Sequence, residues 1–245
     1  MTSAPAHGGR GRIYSEARLL VTIDGPAGVG KSSISRSLAK RVNADFLDTG
    51  AMYRAAAAIA LERNVAVDDE EAIVALIENA DMTFDFQTDP PALLAWGASV
   101  MDRLRDADVS RVVSPVSALP RVREVLVRLQ RRIGVERARL VSEGRDQGSV
   151  VFPQANVKIY LDASATARAN RRAEQLRAAG EVVETSAIER AIGERDARDM
   201  SRAVGPLIRP ADAMYIDSTA MTFDEVVEAL FEIVLENAQA TGNTA

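Results

Sequence analysis

A glycine-rich turn between a short apolar stretch and a helical one constrains the fold of this chain more than any other feature. The apolar residues 19–23 lead into Asp24, and the eight residues that follow fit G-x-x-x-x-G-K-[ST] completely. An apolar run of this length is typical of a buried parallel strand, and the motif requires a strand before it and a helix after it. The turn is therefore predicted to be a P-loop, whose backbone amides bind the phosphates of a nucleoside triphosphate.

The residues of the loop have separate predicted roles because they present different groups to a bound nucleotide. The ammonium group of Lys31 is predicted to reach the β- and γ-phosphates. The hydroxyl of Ser32, or that of Ser33 beside it, is the predicted ligand of Mg²⁺. The residues that we expect to bind the triphosphate are Gly25, Pro26, Ala27, Gly28, Val29, Gly30, Lys31, Ser32 and Ser33.

Short apolar segments alternate with helical patterns along most of the chain. Predicted strands occupy residues 19–24, 45–48, 140–143, 157–161 and 214–217. Predicted helices occupy residues 31–42, 51–63, 120–132, 165–177 and 186–202, and a last helix begins at the capping box of Thr222 and Glu225. Strand–helix alternation of this kind is typical of a parallel sheet that helices cover on both faces. We predict an α/β fold with a five-stranded parallel sheet flanked by helices.

Residues 64–118 interrupt this alternation and are predicted to form a small inserted α+β unit. Residues 82–86 alternate apolar and polar side chains, residues 89–91 indicate a turn, and residues 93–96 form the predicted returning strand. The predicted core therefore comprises residues 18–63 and 119–237, with tails at residues 1–17 and 238–245.

The composition excludes several kinds of chemistry. The 245 residues include no cysteine and a single histidine, His7, so we expect no disulfide, no zinc–thiolate site and no catalytic triad. The net charge of −5 argues against a general nucleic-acid binder. No apolar run approaches the roughly 18 residues that a membrane span needs, and residues 1–17 lack the apolar stretch of a secretory signal. We expect a cytoplasmic protein that binds neither membranes nor nucleic acid.

The motifs that follow the P-loop favour a small kinase over other nucleotide-binding proteins. The chain has neither the N-K-x-D nor the D-x-x-G sequence of a GTPase, and no second acid follows Asp162 as it does in many motor ATPases. A kinase must instead hold two phosphates together during transfer. Residues 48–54 and 144–148 directly follow predicted strands and supply hydroxyl and guanidinium groups at the sheet edge where α/β proteins bind ligands.

The arginines on the later helices allow two interpretations. Arg195, Asp199 and Arg202 are spaced so that they share one helix face, which suits an anionic ligand. Charged helices are also commonly solvated surfaces that carry ion pairs. The arginines for which we favour the solvated surface are Arg168, Arg190 and Arg198.

Further short motifs are spread over almost the whole chain. In chain order they are IDGPAG with GK, DTGAMYR, PRVRE, GRDQG, VVFP, ERD with RD, and DST. In the order and identity of these motifs, the chain resembles the bacterial-type cytidylate kinases, which are P-loop nucleoside monophosphate kinases. The resemblance covers about residues 19–235 and extends well beyond the P-loop, which many families share.

The resemblance implies transfer of the ATP γ-phosphoryl group to CMP or dCMP, with Mg²⁺, by a monomer with a short lid at about residues 177–196. It implies that Ser114, Arg123 and Asp146 read the cytosine. It also implies that Arg195 and Asp199 hold the sugar side, and that Thr49, Arg54, Arg145 and Arg202 surround the phosphates. Thr49 stands where the family is expected to have a serine, and it keeps the hydroxyl. The catalytic groups that the resemblance implies are Lys31, Arg145, Arg171, Arg195 and Arg202.

Two other functions stay open at this stage. A kinase of the same fold would phosphorylate a different small acceptor, such as UMP, AMP or shikimate. A non-enzymatic regulator would bind ATP without turnover for any acceptor, although the missing switch motifs count against it. A panel of acceptors in an ADP-release assay separates these possibilities.

Overall fold

The computed structural model describes residues 17–242 of the chain, and their side chains through residue 237. The predicted N-terminal tail, His7 included, lies outside the described residues apart from residue 17. For the predicted C-terminal tail, the backbone is described only through residue 242.

The alternation of strands and helices that the sequence indicates is present in the described part of the chain. The strands are β1 (Leu19–Asp24), β2 (Asp45–Asp48), β3 (Thr83–Asp85), β4 (Ala92–Ala95), β5 (Ala98–Ser99), β6 (Arg139–Gly144), β7 (Val157–Asp162) and β8 (Met214–Asp217). The helices are α1 (Lys31–Arg41), α2 (Thr49–Glu62), α3 (Glu70–Asn79), α4 (Ala107–Ala118), α5 (Pro120–Glu136), α6 (Ala165–Ala178), α7 (Thr185–Met200) and α8 (Phe223–Gly242). A π-helical turn, Gln147–Val151, follows β6.

Five of the strands form one parallel sheet in the order β2-β6-β1-β7-β8, which confirms the predicted fold class. The central strand β1 pairs with β6 and β7, so that Ile23 lies beside Glu143 on one side and Ile159 on the other. The carboxyl ends of β1, β2 and β6 therefore meet at one edge of the sheet. The P-loop leaves the sheet at this edge, where ligands of open α/β sheets bind.

Apolar side chains cover both faces of this sheet. Leu19, Val21 and Ile23 of β1 pack with α1 and α8 in one buried cluster. Leu47 and Leu140 belong to a second cluster with α2, α3, α4 and α5. Because alternate residues of a strand point to opposite faces, both layers of helices are held by the same strands.

The segment that was predicted as an insert contains α3, a three-stranded antiparallel sheet of β3, β4 and β5, and α4. The strand pair expected over residues 82–86 and 93–96 is present as β3 and β4. Asp89, in the turn between them, pairs with Arg36 and Lys40 of α1. The boundaries between core, insert and lid stay a prediction.

The last helix begins as its sequence predicts. Glu225 Oε2 accepts hydrogen bonds from the backbone amide of Thr222 at 2.8 Å and from its hydroxyl at 2.9 Å, and the Thr222 hydroxyl accepts from the Glu225 amide. This is the reciprocal capping box. Within residues 17–242, no helix is long and apolar enough to cross a bilayer.

Candidate active site

The P-loop lies between the end of β1 and the start of α1, with a backbone that only glycine adopts easily. Gly25, Gly28 and Gly30 have positive φ angles of 155°, 79° and 93°. A Cβ atom on Gly25 would lie 2.0 Å from the carbonyl oxygen of Leu161 in β7, so the loop needs glycine there to leave the sheet. No side chain caps the start of α1. The first amides of the helix are therefore available to an anion.

Lys31 is folded back onto its own loop. Its Nζ atom donates hydrogen bonds to the carbonyl oxygens of Gly25 at 2.8 Å and Pro26 at 2.7 Å, and the residue is buried. Burial and then the nearby Arg145 lower the pKa of Lys31 to about 7. The loop carbonyls thus hold an ammonium group that is predicted to transfer to phosphate oxygens when a nucleotide binds.

A buried carboxylate faces the predicted magnesium ligand. Ser32 Oγ donates to Oε1 of Glu143 at 2.6 Å, whereas Ser33 is exposed. Glu143 is the last residue but one of β6 and is 4% exposed, and burial, followed by the charge of Asp48, raises the pKa of its carboxyl. Sequence reasoning missed Glu143, although an acid that ends the strand beside the P-loop strand was visible as a signal. Hydroxyl and carboxylate oxygens are the ligands that Mg²⁺ prefers, so this pair fits that ion.

A cleft with about 470 Å³ of empty space, open solvent included, lies beside the P-loop. We call it the arginine cleft, because guanidinium groups from four different segments reach it. Its lining residues are Thr49, Gly50, Tyr53, Arg54, Val113, Ser117, Arg123, Glu143, Gly144, Arg145, Asp146, Arg195, Asp199 and Arg202. All but one of the residues predicted to bind the acceptor are in this set.

Asp199 organises two of the cleft arginines. Its Oδ2 accepts from Arg145 Nε at 2.8 Å, and its Oδ1 accepts from Arg202 Nη2 at 2.5 Å. Burial alone would raise the pKa of Asp199, but Arg145 and Arg202 outweigh it and hold the pKa below its usual value. The carboxylate therefore stays ionised and fixes both guanidinium groups at the cleft wall.

Arg195 stands in the same cleft with unused donor capacity. Its Nε atom is buried and has no hydrogen-bond partner among the described residues. Burial, and then the charge of Arg145, lower its pKa to about 10. A buried guanidinium nitrogen without a partner is costly, and an anionic ligand in the cleft would satisfy it.

Thr49 and Arg54, at the start of α2, are both held in place at the cleft. Arg54 Nη2 donates to Oδ2 of Asp48 at 2.9 Å, and the same carboxylate caps α2 by accepting from the Ala51 amide. Thr49 Oγ1 donates to the carbonyl oxygen of Glu143 at 2.7 Å. The threonine hydroxyl thus ties α2 to the end of β6, beside the P-loop.

Arg123 and Asp146 form a buried ion pair in the wall of the arginine cleft. Their side chains are only 2% and 4% exposed, and the Arg123 guanidinium lies 5.3 Å from the ring centroid of Tyr53. Burial, partly opposed by Arg123, raises the pKa of Asp146. Gly205, with a φ of 60°, lies against this pair so closely that a Cβ atom there would be 2.2 Å from Arg123 Nη2. Gly205 is not identified in the sequence analysis, and the one sequence feature that marks it is the proline that follows it.

Outside the P-loop, two of the predicted site residues do not line the arginine cleft. Ser114 lies one turn before Ser117 on α4, and it is Ser117 whose hydroxyl accepts from Arg202 Nη2 at 2.8 Å. Arg171 donates instead to the Ser218 hydroxyl at 3.2 Å and the Met221 carbonyl at 3.3 Å, after β8. The roles expected for Ser114 and Arg171 stay predictions.

The interpretation of Arg168 as a solvated surface residue is wrong. Arg168 is 7% exposed, pairs with Asp196, and donates through Nη1 to the carbonyl oxygen of Ala27 in the P-loop at 2.8 Å. The pattern of charges on one helix could not show that α7 packs over α6 at this point. Arg190 and Arg198 are exposed, as expected.

A P-loop at the sheet edge, beside a cleft lined with arginines, defines the class of P-loop kinases that act on small phosphorylated acceptors. A gluconokinase from Sinorhizobium meliloti has the same fold, with a TM-score of 0.51 at 12% identity over 93% of this chain and 98% of that one. This likeness concerns the fold alone.

Sequence comparison identifies the family. The family model of cytidylate kinase matches residues 21–236. A cytidylate kinase of Rhodococcus jostii is 45% identical over 229 residues, which are 92% of this chain and 99% of the relative. A cytidylate kinase of Carboxydothermus hydrogenoformans is 42% identical over 214 residues, 87% of this chain and 96% of the relative. The chain belongs to the cytidylate kinase family.

Proposed function

We propose that this protein transfers the γ-phosphoryl group of ATP to CMP or dCMP, giving ADP and CDP or dCDP in pyrimidine nucleotide metabolism. The observation that carries the proposal is the convergence of Arg54, Arg145, Arg195 and Arg202 on one cleft beside the P-loop. Such a set of positive charges suits two phosphates that repel each other. The family membership supplies the identity of the acceptor.

The chemistry needs no histidine or cysteine. The acceptor phosphate is already an anion near neutral pH, so one of its oxygens attacks the γ-phosphorus directly. A new P–O bond forms while the bond from the γ-phosphorus to the bridging oxygen of ADP breaks. The protein contributes alignment and charge stabilisation, for which Lys31 and Arg145 are the best-placed groups.

Discrimination between bases has a physical explanation in the buried pair of Arg123 and Asp146. Cytosine presents an amine donor and a ring-nitrogen acceptor, and uracil reverses this pattern. A site that offers a carboxylate acceptor and a guanidinium donor satisfies cytosine and leaves uracil with mismatched polar groups. Buried polar mismatches cost more than a missing methylene group.

Mg²⁺ would be held by Ser32, with the carboxylate of Glu143 beside it, on the donor side of the site. The ion supplies neutralisation of charge on the β- and γ-phosphates when it is bound. Glu143 also orients the Ser32 hydroxyl, which donates a hydrogen bond of 2.6 Å to its Oε1 atom.

We also expect the predicted lid, residues 177–196, and the insert, residues 64–118, to close over the two nucleotides. Closure would exclude water and limit hydrolysis of ATP. The proposal includes that the protein acts as a monomer in the cytoplasm.

The test is a coupled ADP-release assay with CMP, dCMP, UMP, AMP and shikimate as acceptors. We expect rapid turnover with CMP and dCMP and slow turnover with the others. Absence of turnover with both cytidine nucleotides would reject the proposal. Turnover with another acceptor would identify a different small-molecule kinase, and ATP binding without any turnover would identify a regulator.

A further inference from the structure

Both backbone polar groups of Ala27, in the P-loop, are held by a buried ion pair. Asp196 Oδ1 accepts from the Ala27 amide at 2.9 Å, while Arg168 Nη1 donates to the Ala27 carbonyl oxygen at 2.8 Å. Arg168 and Asp196 also bind each other, and they are 7% and 6% exposed. We call these two side chains the loop clamp.

The loop clamp comes from α6 and α7, which make no other hydrogen bond to the P-loop backbone within residues 17–242. Arg168 belongs to α6 and is anchored to the carbonyl oxygen of Ala163 through Nε at 2.9 Å. Asp196 belongs to α7, the helix that also carries Arg195 and Asp199 of the arginine cleft. The clamp therefore fixes the donor loop relative to the helix that supplies the acceptor cleft.

A further contact restricts the loop at the next glycine. A Cβ atom on Gly28 would lie 3.3 Å from Ile192 Cδ1 of α7 and 3.4 Å from Arg168 Cβ, so these side chains pack directly against the loop. The crest of a glycine-rich loop has many accessible backbone conformations, and fixing each residue costs conformational entropy. A loop that is already fixed before the nucleotide arrives avoids part of this cost on binding.

We propose that Arg168 and Asp196 are positioning residues that preorganise the P-loop for ATP and make its affinity depend on the placement of α7. The proposal rests on the proposed function only in taking ATP as the ligand of the loop. The two side chains act through the backbone of Ala27, whose N–H donates to Asp196 and whose carbonyl oxygen accepts from Arg168.

The direction in which one substitution changes the affinity for ATP distinguishes a positioning role from direct electrostatics. Asp196→Asn removes a negative charge close to the phosphate site, so simple Coulomb attraction would make ATP bind more tightly. The proposal gives the opposite result, because the charged pair that holds Ala27 is broken. We expect the dissociation constant of a fluorescent ATP analogue, measured without acceptor, to rise at least fivefold. Tighter or unchanged binding would overturn the proposal.

A double variant separates positioning from a loss of stability. Replacing both members of a buried ion pair by apolar residues of similar size is often neutral for stability, whereas removing one member is not. Arg168→Met with Asp196→Leu should therefore keep the unfolding midpoint within a few degrees of the wild type. The same double variant should bind the ATP analogue at least tenfold more weakly, with CMP affinity changed less than threefold. Binding of the analogue within twofold of the wild type would overturn the proposal.

A matched control makes the same residue exchanges on the same two helices. Arg172 and Glu194 are exposed residues of α6 and α7, so Arg172→Met with Glu194→Leu should leave analogue binding unchanged. An equal loss of binding in this control would overturn the proposal. If the wild type itself fails to bind the analogue, the proposed function fails and not the clamp alone.

Should the double variant not fold, Arg168→Lys replaces it. A lysine keeps the charge but loses the forked donors, and we expect a threefold or larger loss of binding, with a loss below twofold counting against the clamp.

Discussion

Arg145 Nε lies 2.8 Å from Oδ2 of Asp199, a contact that joins the turn after β6 to helix α7 across the arginine cleft. The carboxylate is 1% exposed, and its other oxygen binds Arg202. One buried acid therefore sets the positions of two guanidinium groups that are proposed to bind phosphate.

Replacing Asp199 by alanine should impair the use of CMP and dCMP mainly through their affinity. Arg145 and Arg202 lose their common partner, so the guanidinium groups are no longer fixed where the acceptor is expected. We expect the dissociation constants of CMP and dCMP to rise at least tenfold, or about 1.4 kcal/mol. Titration calorimetry measures this change, with the fluorescent ATP analogue as the internal control. An equal loss of ATP binding would argue against a role on the acceptor side.

Replacing Arg145 by alanine should damage turnover more than binding. Removal of one donor that stabilises transition-state charge typically costs about 10²–10³ in kcat. We expect a loss of at least about 100-fold in kcat, with the KM for ATP changed much less. Arg145→Lys is the control, since it keeps the charge but not the planar, forked geometry, and it should recover only part of the activity. A normal kcat in Arg145→Ala would remove this residue from the catalytic set.

Replacing Asp146 by asparagine should weaken the preference for cytosine over uracil. Asparagine presents a donor as well as an acceptor, so a uracil carbonyl no longer meets only an acceptor. We expect kcat/KM for CMP to fall by about 10²-fold or more, and the value for UMP to fall much less. Measuring both acceptors with one enzyme preparation cancels any loss of folded protein. A constant ratio of the two values would mean that Asp146 does not read the base.

Two buried groups at the P-loop, Asp24 and Lys31, should together contribute least to the stability of the protein near pH 7. Burial, partly opposed by hydrogen bonds from the Gln147 and Gly148 amides, raises the pKa of Asp24 from 3.8 to about 7. The folded state therefore binds more protons than the unfolded state between these values, and stability falls as the pH rises through this range. Lys31, with its pKa lowered from 10.5 to about 7, has the opposite effect, so its contribution is lost as the pH falls from about 10.5 to 7.

Asp24→Asn tests the acid side of this minimum. The variant removes the titrating carboxyl, so the decrease in unfolding free energy between pH 5 and 7 should become smaller than in the wild type by about 2 kcal/mol. Urea unfolding at both pH values measures the slope, which is independent of any constant loss of stability in the variant. Identical slopes in the two proteins would show that Asp24 does not titrate in this range.

Much of the fold follows from local patterns. The apolar run before Gly25 and the motif through Ser32 specify a strand, a turn and a helix within a few residues of one another, and the structure has all three. The pair of Thr222 and Glu225 likewise predicts the start of α8, because a capping box joins residues only three positions apart. Such features need no knowledge of distant parts of the chain.

The sequence alone determined the fold class, the P-loop and the residues that now line most of the arginine cleft, because each rests on a short motif or a strand end. Only the tertiary structure decided which distant side chains meet. Glu143 faces Ser32 because β6 lies beside β1, Ser117 rather than Ser114 reaches Arg202, and Arg168 is buried under α7. These contacts join residues between 28 and 141 positions apart in the chain, and no local periodicity encodes them. The burial of a charged side chain depends on the packing of whole elements, so it appears only when the sheet and its helices are assembled.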